Sequence, residues 1–339
     1  MFNCSSELKN KLKVERTTAV WAFSEGAFGG LLHLFKIPFK GLFLSGIAVN
    51  LISLIDCLSK NKREIIRSTT IVEIIKAAIS PHSPLSAYIG VAVDGFSGYL
   101  FYKFIPSKRI ASLLFALTTM FYSAFQRIFT LTIIFGMALW ESIDSFSNYV
   151  ISSVFHLHSL SFSLSQILIS FYVLIHLASG IYFGNLAFNI GTMVNEFHKD
   201  LPPELKEGTF EMNEKKKKRI KMRPSGVLII AFLIFLLIFS YINPSWQGKM
   251  AITIIMILRA FLITFLWYVF ISPIVKKMIY KLVSKKEHEY IEEINSILSS
   301  FPHFKAIVNY SWKANSKLKG FKRLNQFIKS VLVLSLTYG

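Results

Sequence analysis

Acidic residues are scarce in this sequence. Its 339 residues include 19 Asp and Glu against 38 Lys and Arg, a net charge of +19. Such an excess is one signature of nucleic-acid binding. Here the basic residues cluster between apolar runs and near the C-terminus, as in the inward loops of a membrane protein, so no nucleic-acid partner is expected. Cysteine is almost absent. Cys4 and Cys57 are too few for a disulfide framework or a thiolate metal site. Charge of either sign is low at 17%, where a soluble domain carries roughly 25%. Several motifs are missing: G-x-x-x-x-G-K-[ST], G-x-S-x-G and H-E-x-x-H. The chain is therefore not expected to hydrolyse ATP itself or to carry a familiar hydrolase centre. The apolar run near the N-terminus lacks a small-residue cleavage pattern leading into a soluble mature chain.

Apolar surface is abundant. The chain is 53% hydrophobic with 32 Phe, and its mean hydropathy is +0.49. A soluble fold has no polar shell to cover so much of it, whereas lipid removes that need. The reading is an all-α, polytopic transmembrane bundle in the cell (inner) membrane. Residues 1–16 form a polar N-terminus inside, and 17–194 a six-helix transmembrane domain. Residues 195–224 are a basic linker containing Pro202-Pro203 and Lys215-Lys216-Lys217-Lys218-Arg219. Residues 225–280 form a transmembrane hairpin, and 281–339 a basic amphipathic tail. Eight spans with both termini inside satisfy the positive-inside bias at every loop except Lys36 and Lys40. In the tail, Phe301-Pro302 is expected to interrupt the helix. Its amphipathic faces suit an anionic membrane surface or a partner.

The stretch from Thr17 to Ser59 organises the rest. Ala22, Gly26 and Gly30 recur every four residues, a small-residue seam that lets another helix approach closely. Glu25, Gly29 and His33 form a neighbouring row. Lys36-Ile37-Pro38 and Gly41 divide the stretch into a helical hairpin.

Ionisable groups at membrane depth are costly and are retained for a partner, a substrate or a path. Glu25 with His33 and Lys36 or Lys40 reads either as a ligand site or as an internal ion pair. Glu73 and Lys76, three apart, read as a salt bridge on one helix face. Pro81-His82-Ser83-Pro84 breaks the helix ladder, and freed backbone groups at depth suit a cavity lining. His82 and Asp94 are candidates to face a polar ligand there, against the plainer reading of an outer turn with one buried acid. Arg127, beside Gln126, needs an anion: Glu25, Asp94 or the ligand itself. His156-Leu157-His158 and His176 do not supply the fixed set of three or four ligands that a metal requires. No metal and no cofactor is expected.

The residues Ala22-Phe23-Ser24-Glu25-Gly26-Ala27-Phe28-Gly29-Gly30 and Ser80-Pro81-His82-Ser83-Pro84-Leu85-Ser86-Ala87-Tyr88, within a hydrophobic six-helix unit, resemble the substrate-binding S components of energy-coupling factor transporters. The resemblance spans Thr17–Gly191. It implies a transport component that takes a small-molecule solute from outside, with Glu25, His33, His82, Asp94 and Arg127 as ligand-binding residues. It implies that Ala22, Gly26 and Gly30 touch a transmembrane coupling subunit, and that a separate ATPase supplies energy. Membrane lipid is the other expected partner. Two further readings stand beside it. One is an intramembrane enzyme of lipid or polyprenyl chemistry. The other is a non-catalytic membrane assembly factor working through its tail.

Overall fold

The computed structural model describes residues 4–29, 39–79, 83–154, 163–199 and, apart from scattered positions between 257 and 270, 272–337. The described residues are helical, with no strand among them. In chain order the helices are α1 (Cys4–Phe23), a π-helical turn at Ser24–Phe28, α2 (Lys40–Leu58), α3 (Arg63–Ile79), α4 (Leu85–Phe104), α5 (Lys108–Phe135), α6 (Ala138–Val154), α7 (Leu164–Phe188), α8 (Ile190–Lys199), α9 (Ser272–Ala314) and α10 (Gly320–Thr337).

Two of these, α2 and α7, are long and apolar enough to cross a membrane, and α5 with α6 makes a third candidate as one bent pair. Eight crossings were expected. The difference has two sources. Helix α1 lies mostly on residues 4–16, which were expected as an inside N-terminus, while α3, at 17 residues, and α4, with Asp94 at its middle, fall short of the length or apolarity of a crossing. Most of the expected hairpin at 225–280 lies outside the described residues.

The chain divides into two compact units. The first comprises Met1–Gln126, Tyr172–Met212 and Ile274–Gly339. Its centre is apolar. Trp21, Ile52, Ile55, Ile75, Phe115 and Ile307 are almost wholly buried. Within it α1 packs on α2, α3 and α10, α3 packs on α4, and α8 packs on α2 and α10. Gly95 sets the closest of these approaches. A methyl group there would overlap the side chain of Thr69, whose hydroxyl already donates to Ile65 O at 2.6 Å. Gly95→Ala is expected to lower stability by about 1–3 kcal/mol, the range for overpacking a filled core. Thermal melting in detergent checks it.

The tail belongs to this unit. Ile294, Ile297, Phe304, Ile307, Leu332 and Val333 are buried in its core. Phe23 meets Phe301 edge-on at 5.2 Å, and Arg16 donates to Leu336 O at 2.9 Å. The expected interruption at Phe301-Pro302 does not occur, since α9 runs through Pro302. Tertiary packing holds the helix there, with Phe301 against Phe23. Arg67 of α3 clamps α9 by donating to Glu293 at 2.5 Å and to Glu64 at 3.1 Å. Burial pushes the Glu293 carboxyl up from its ordinary value, against the pull of Arg67. Arg67→Ala strands Glu293 beside Glu64 and Glu15. The expected loss is about 1.5–3 kcal/mol at neutral pH. A raised carboxyl is penalised only while ionised. The loss therefore shrinks as pH falls below the raised Glu293 value, which melting at pH 7 and pH 4 distinguishes.

The second unit comprises Arg127–Phe171 and Asn213–Pro273. Its described part turns sharply. The axes of α5 and α6 differ by 91° at Gly136, whose φ is +75°. The turn is pinned by Trp140 Nε1 donating to Thr132 Oγ1 at 3.0 Å. Asp144 then caps α7, accepting from the Ser165 backbone N–H at 2.7 Å and from Ser165 Oγ at 2.8 Å. Gly136→Val forces a branched residue into the left-handed region. It is expected to cost about 1–3 kcal/mol, read by melting as before.

Candidate functional site

Glu25 sits in the π-helical turn that follows α1. Such a turn inserts one extra residue per turn and re-aims side chains, and it recurs at functional sites. Here it points Glu25 into the first unit. Lys76 of α3 donates to Glu25 Oε2 at 2.7 Å, with the two side chains only 6% and 4% exposed. The ammonium also donates to Ala87 O, 3.0 Å away at the start of α4. The Tyr88 ring lies 6.0 Å from it, at the limit of cation–π attraction. One lysine thus ties the first, third and fourth helices together.

Asp94 lies two turns further along α4 and is 4% exposed. Among the described residues, its Oδ1 has no hydrogen-bond partner. Glu25, Lys76 and Tyr122 are within electrostatic reach of it. A buried carboxylate oxygen without a donor is expensive, and such atoms in native folds need an explanation. Among the described residues the cluster carries one ammonium against two carboxylates. With all three ionised it has one negative charge to spare, enclosed in protein.

Helix α5 closes the same end of the unit. Gln126 donates its side-chain amide to Ser86 O at 2.5 Å. Thr119 lies 3.5 Å from Ser97. The Ser123 hydroxyl sits directly over Gly41 at the start of α2. Phe39, the residue before α2, adopts φ +60°, an unusual conformation for a bulky side chain. Its ring stacks on Tyr172 at 5.4 Å and lies 6.0 Å from His176. His176 is fully buried. Its Nδ1 meets Tyr172 O at 2.9 Å, while Nε2 has no partner. One end of the first unit therefore gathers two buried carboxylates, a lysine, an orphaned imidazole nitrogen and a strained aromatic corner.

The expected site residues fall as follows. Glu25 and Asp94 are brought together. Arg127 is exposed and begins the second unit. His33, His82 and Gly30 lie outside the described residues. Ala22 is fully buried, and a methyl group at Gly26 would stand 3.3 Å from Ile79 Cδ1. That row of small residues is covered by the chain's own helices. The expected Glu73–Lys76 bridge does not form, because Lys76 turns inward to Glu25 and Glu73 remains on the half-buried flank. Lys40 is not the partner of Glu25 either, while Lys36 lies outside the described residues. Sequence reasoning missed the pairing of residues 25 and 76 because a nearer acid, Glu73, offered a local explanation. It also missed Phe39, whose only signal is its place between Pro38 and Gly41.

Among the described residues, no group of three or more His, Cys, Asp or Glu side chains is placed to hold a metal. No family, no curated protein and no solved structure matches the chain. Two helices carry apolar faces: α5 exposes Ile110, Leu114, Phe121 and Phe125, and α7 exposes Ile167, Leu168, Phe171 and Leu174. Large exposed apolar faces on long helices fit hydrocarbon rather than water.

Proposed function

We propose that this protein is an integral membrane transport component that captures a small solute from outside, as the binding subunit of an importer powered by a separate ATPase. On this reading the chain is held in the bilayer by its apolar helices, with both termini inside. The charged cluster then lies toward the outer face. The observation that carries the proposal is Asp94 Oδ1: a buried acceptor with no donor, beside an ion pair that already satisfies Glu25. Ionisable groups inside a bundle are retained for pathways and ligands. Asp94 accepts a donor from the solute. Glu25 and Lys76 fix the frame, and Lys76 shifts between Glu25 and the solute as the bundle moves.

The assembly-factor reading asks for a tail whose apolar faces await another protein. Here Ile294, Ile297, Phe304 and Ile307 of those faces are already buried within the chain, and Phe301 and Phe304 meet Phe23. With Ala22 and Gly26 covered, a coupling subunit has to dock elsewhere, and the exposed stripe of α7 is the surface of suitable chemistry.

The test is purification of the tagged chain from its own membranes in a mild detergent, followed by identification of what accompanies it. The expected result is an ATP-binding protein and a second membrane chain in fixed ratio. Turnover of a lipid by the purified chain alone, with no such companions, would sink the proposal in favour of the enzyme reading.

A further inference from the structure

The opposite end of the first unit holds a cavity of about 490 Å³ that the transport proposal does not use. Its wall on one side is the end of α7 and the start of α8: Tyr182, Asn185, Asn189 and Thr192, with Leu186 and Met193 beneath. The other side is α10, which contributes Asn325 and Lys329. Asn185, Asn189 and Thr192 recur at helical spacing, so they form one polar stripe. Each is held in place by its own backbone. Asn185 Nδ2 donates to Ile181 O at 3.0 Å, Asn189 Nδ2 to Asn185 O at 3.0 Å, and Thr192 Oγ1 to Asn189 O at 2.8 Å. An amide has two N–H groups, so each asparagine keeps one for a ligand. Lys329 adds an ammonium, and among the described residues no acidic side chain lines the space.

The donor set therefore suits an anion with several acceptor oxygens. The position suits a particular carrier. Helix α7 is one of the two helices long and apolar enough to cross a membrane, and the cavity opens at its C-terminal end. That is the depth at which headgroups lie beside a crossing helix. Basic pockets between helices at such a boundary bind phosphate headgroups. We infer that this cavity binds a phosphate group, carried by the headgroup of an anionic phospholipid, and that the bound lipid bridges α7, α8 and α10.

The full chain, purified in neutral detergent, is titrated with phosphatidylglycerol, phosphatidylcholine or inorganic phosphate and followed by native mass spectrometry and melting. Phosphatidylglycerol is expected to bind about fivefold more tightly than phosphatidylcholine, the weight of one lysine ammonium at an anionic surface. Lys329→Gln is expected to bring that ratio to about one. Asn325→Leu serves the same purpose through a different wall residue, should the first variant fail to fold. A melting shift from millimolar inorganic phosphate, lost in Lys329→Gln, would support the same site with a soluble phosphate as its occupant. Equal binding of both lipids with no effect of phosphate overturns the inference. So does a preference for phosphatidylglycerol that survives in both variants.

Discussion

Lys76→Met is expected to cost about 3–5 kcal/mol of stability, the range for breaking a buried ion pair from one side. Methionine fills nearly the same volume, so packing changes little. What changes is charge. Glu25, 4% exposed at its side chain, loses the cation paired with it, and Ala87 O loses a donor. The melting temperature in detergent should fall by about 10 °C or more. The control is the double variant Glu25→Gln with Lys76→Met, which removes both charges. Replacing a buried pair by neutral groups is often harmless, so the double variant should recover most of the loss. A single variant that melts like the parent protein would show that Glu25 and Lys76 are not paired in the folded chain.

Asp94→Asn should act in the opposite sense. Asn keeps the shape and removes a buried charge that lacks a donor at Oδ1. Stability is expected to hold or rise by about 1 kcal/mol, as when a functional strain is relieved. Solute capture is expected to fall at least a hundredfold, since losing one buried charged contact costs a ligand about 2–5 kcal/mol. Uptake in cells that depend on the solute, set beside melting of the purified variant, separates the two effects. Lys76→Met lowers both quantities, whereas Asp94→Asn lowers only one. Loss of stability without loss of uptake would mark Asp94 as a structural residue.

The helical class was legible in the long apolar runs, and those from Lys40 to Leu58 and from Leu164 to Phe188 are helices at those places. The breaks were harder to read. A proline ends a helix in isolation, yet Pro302 sits inside α9, because Phe301 and Phe304 are held against Phe23 from the far end of the chain. Glycine is ambiguous in the same way. Gly136 marks a sharp turn through its positive φ, while Gly95 marks only a close approach of two helices, and the sequence does not distinguish them. In the candidate site, Glu25 and Asp94 were visible as acids in apolar runs. Their relation was not, because it depends on Lys76, which is 51 residues from Glu25 and only three from a competing acid. Local spacing favours the near partner. Burial favours the partner that shares a dry interior, and here burial prevails.

The decisive measurement is mass spectrometry of small molecules retained by the gently purified protein, run in parallel on Asp94→Asn. A polar solute held by the parent chain in near-stoichiometric amount, and missing from a variant that melts normally, is the predicted result. Identical spectra from the two proteins, or no retained solute in either when they are purified straight from membranes, would contradict the claim that the enclosed acid receives a ligand.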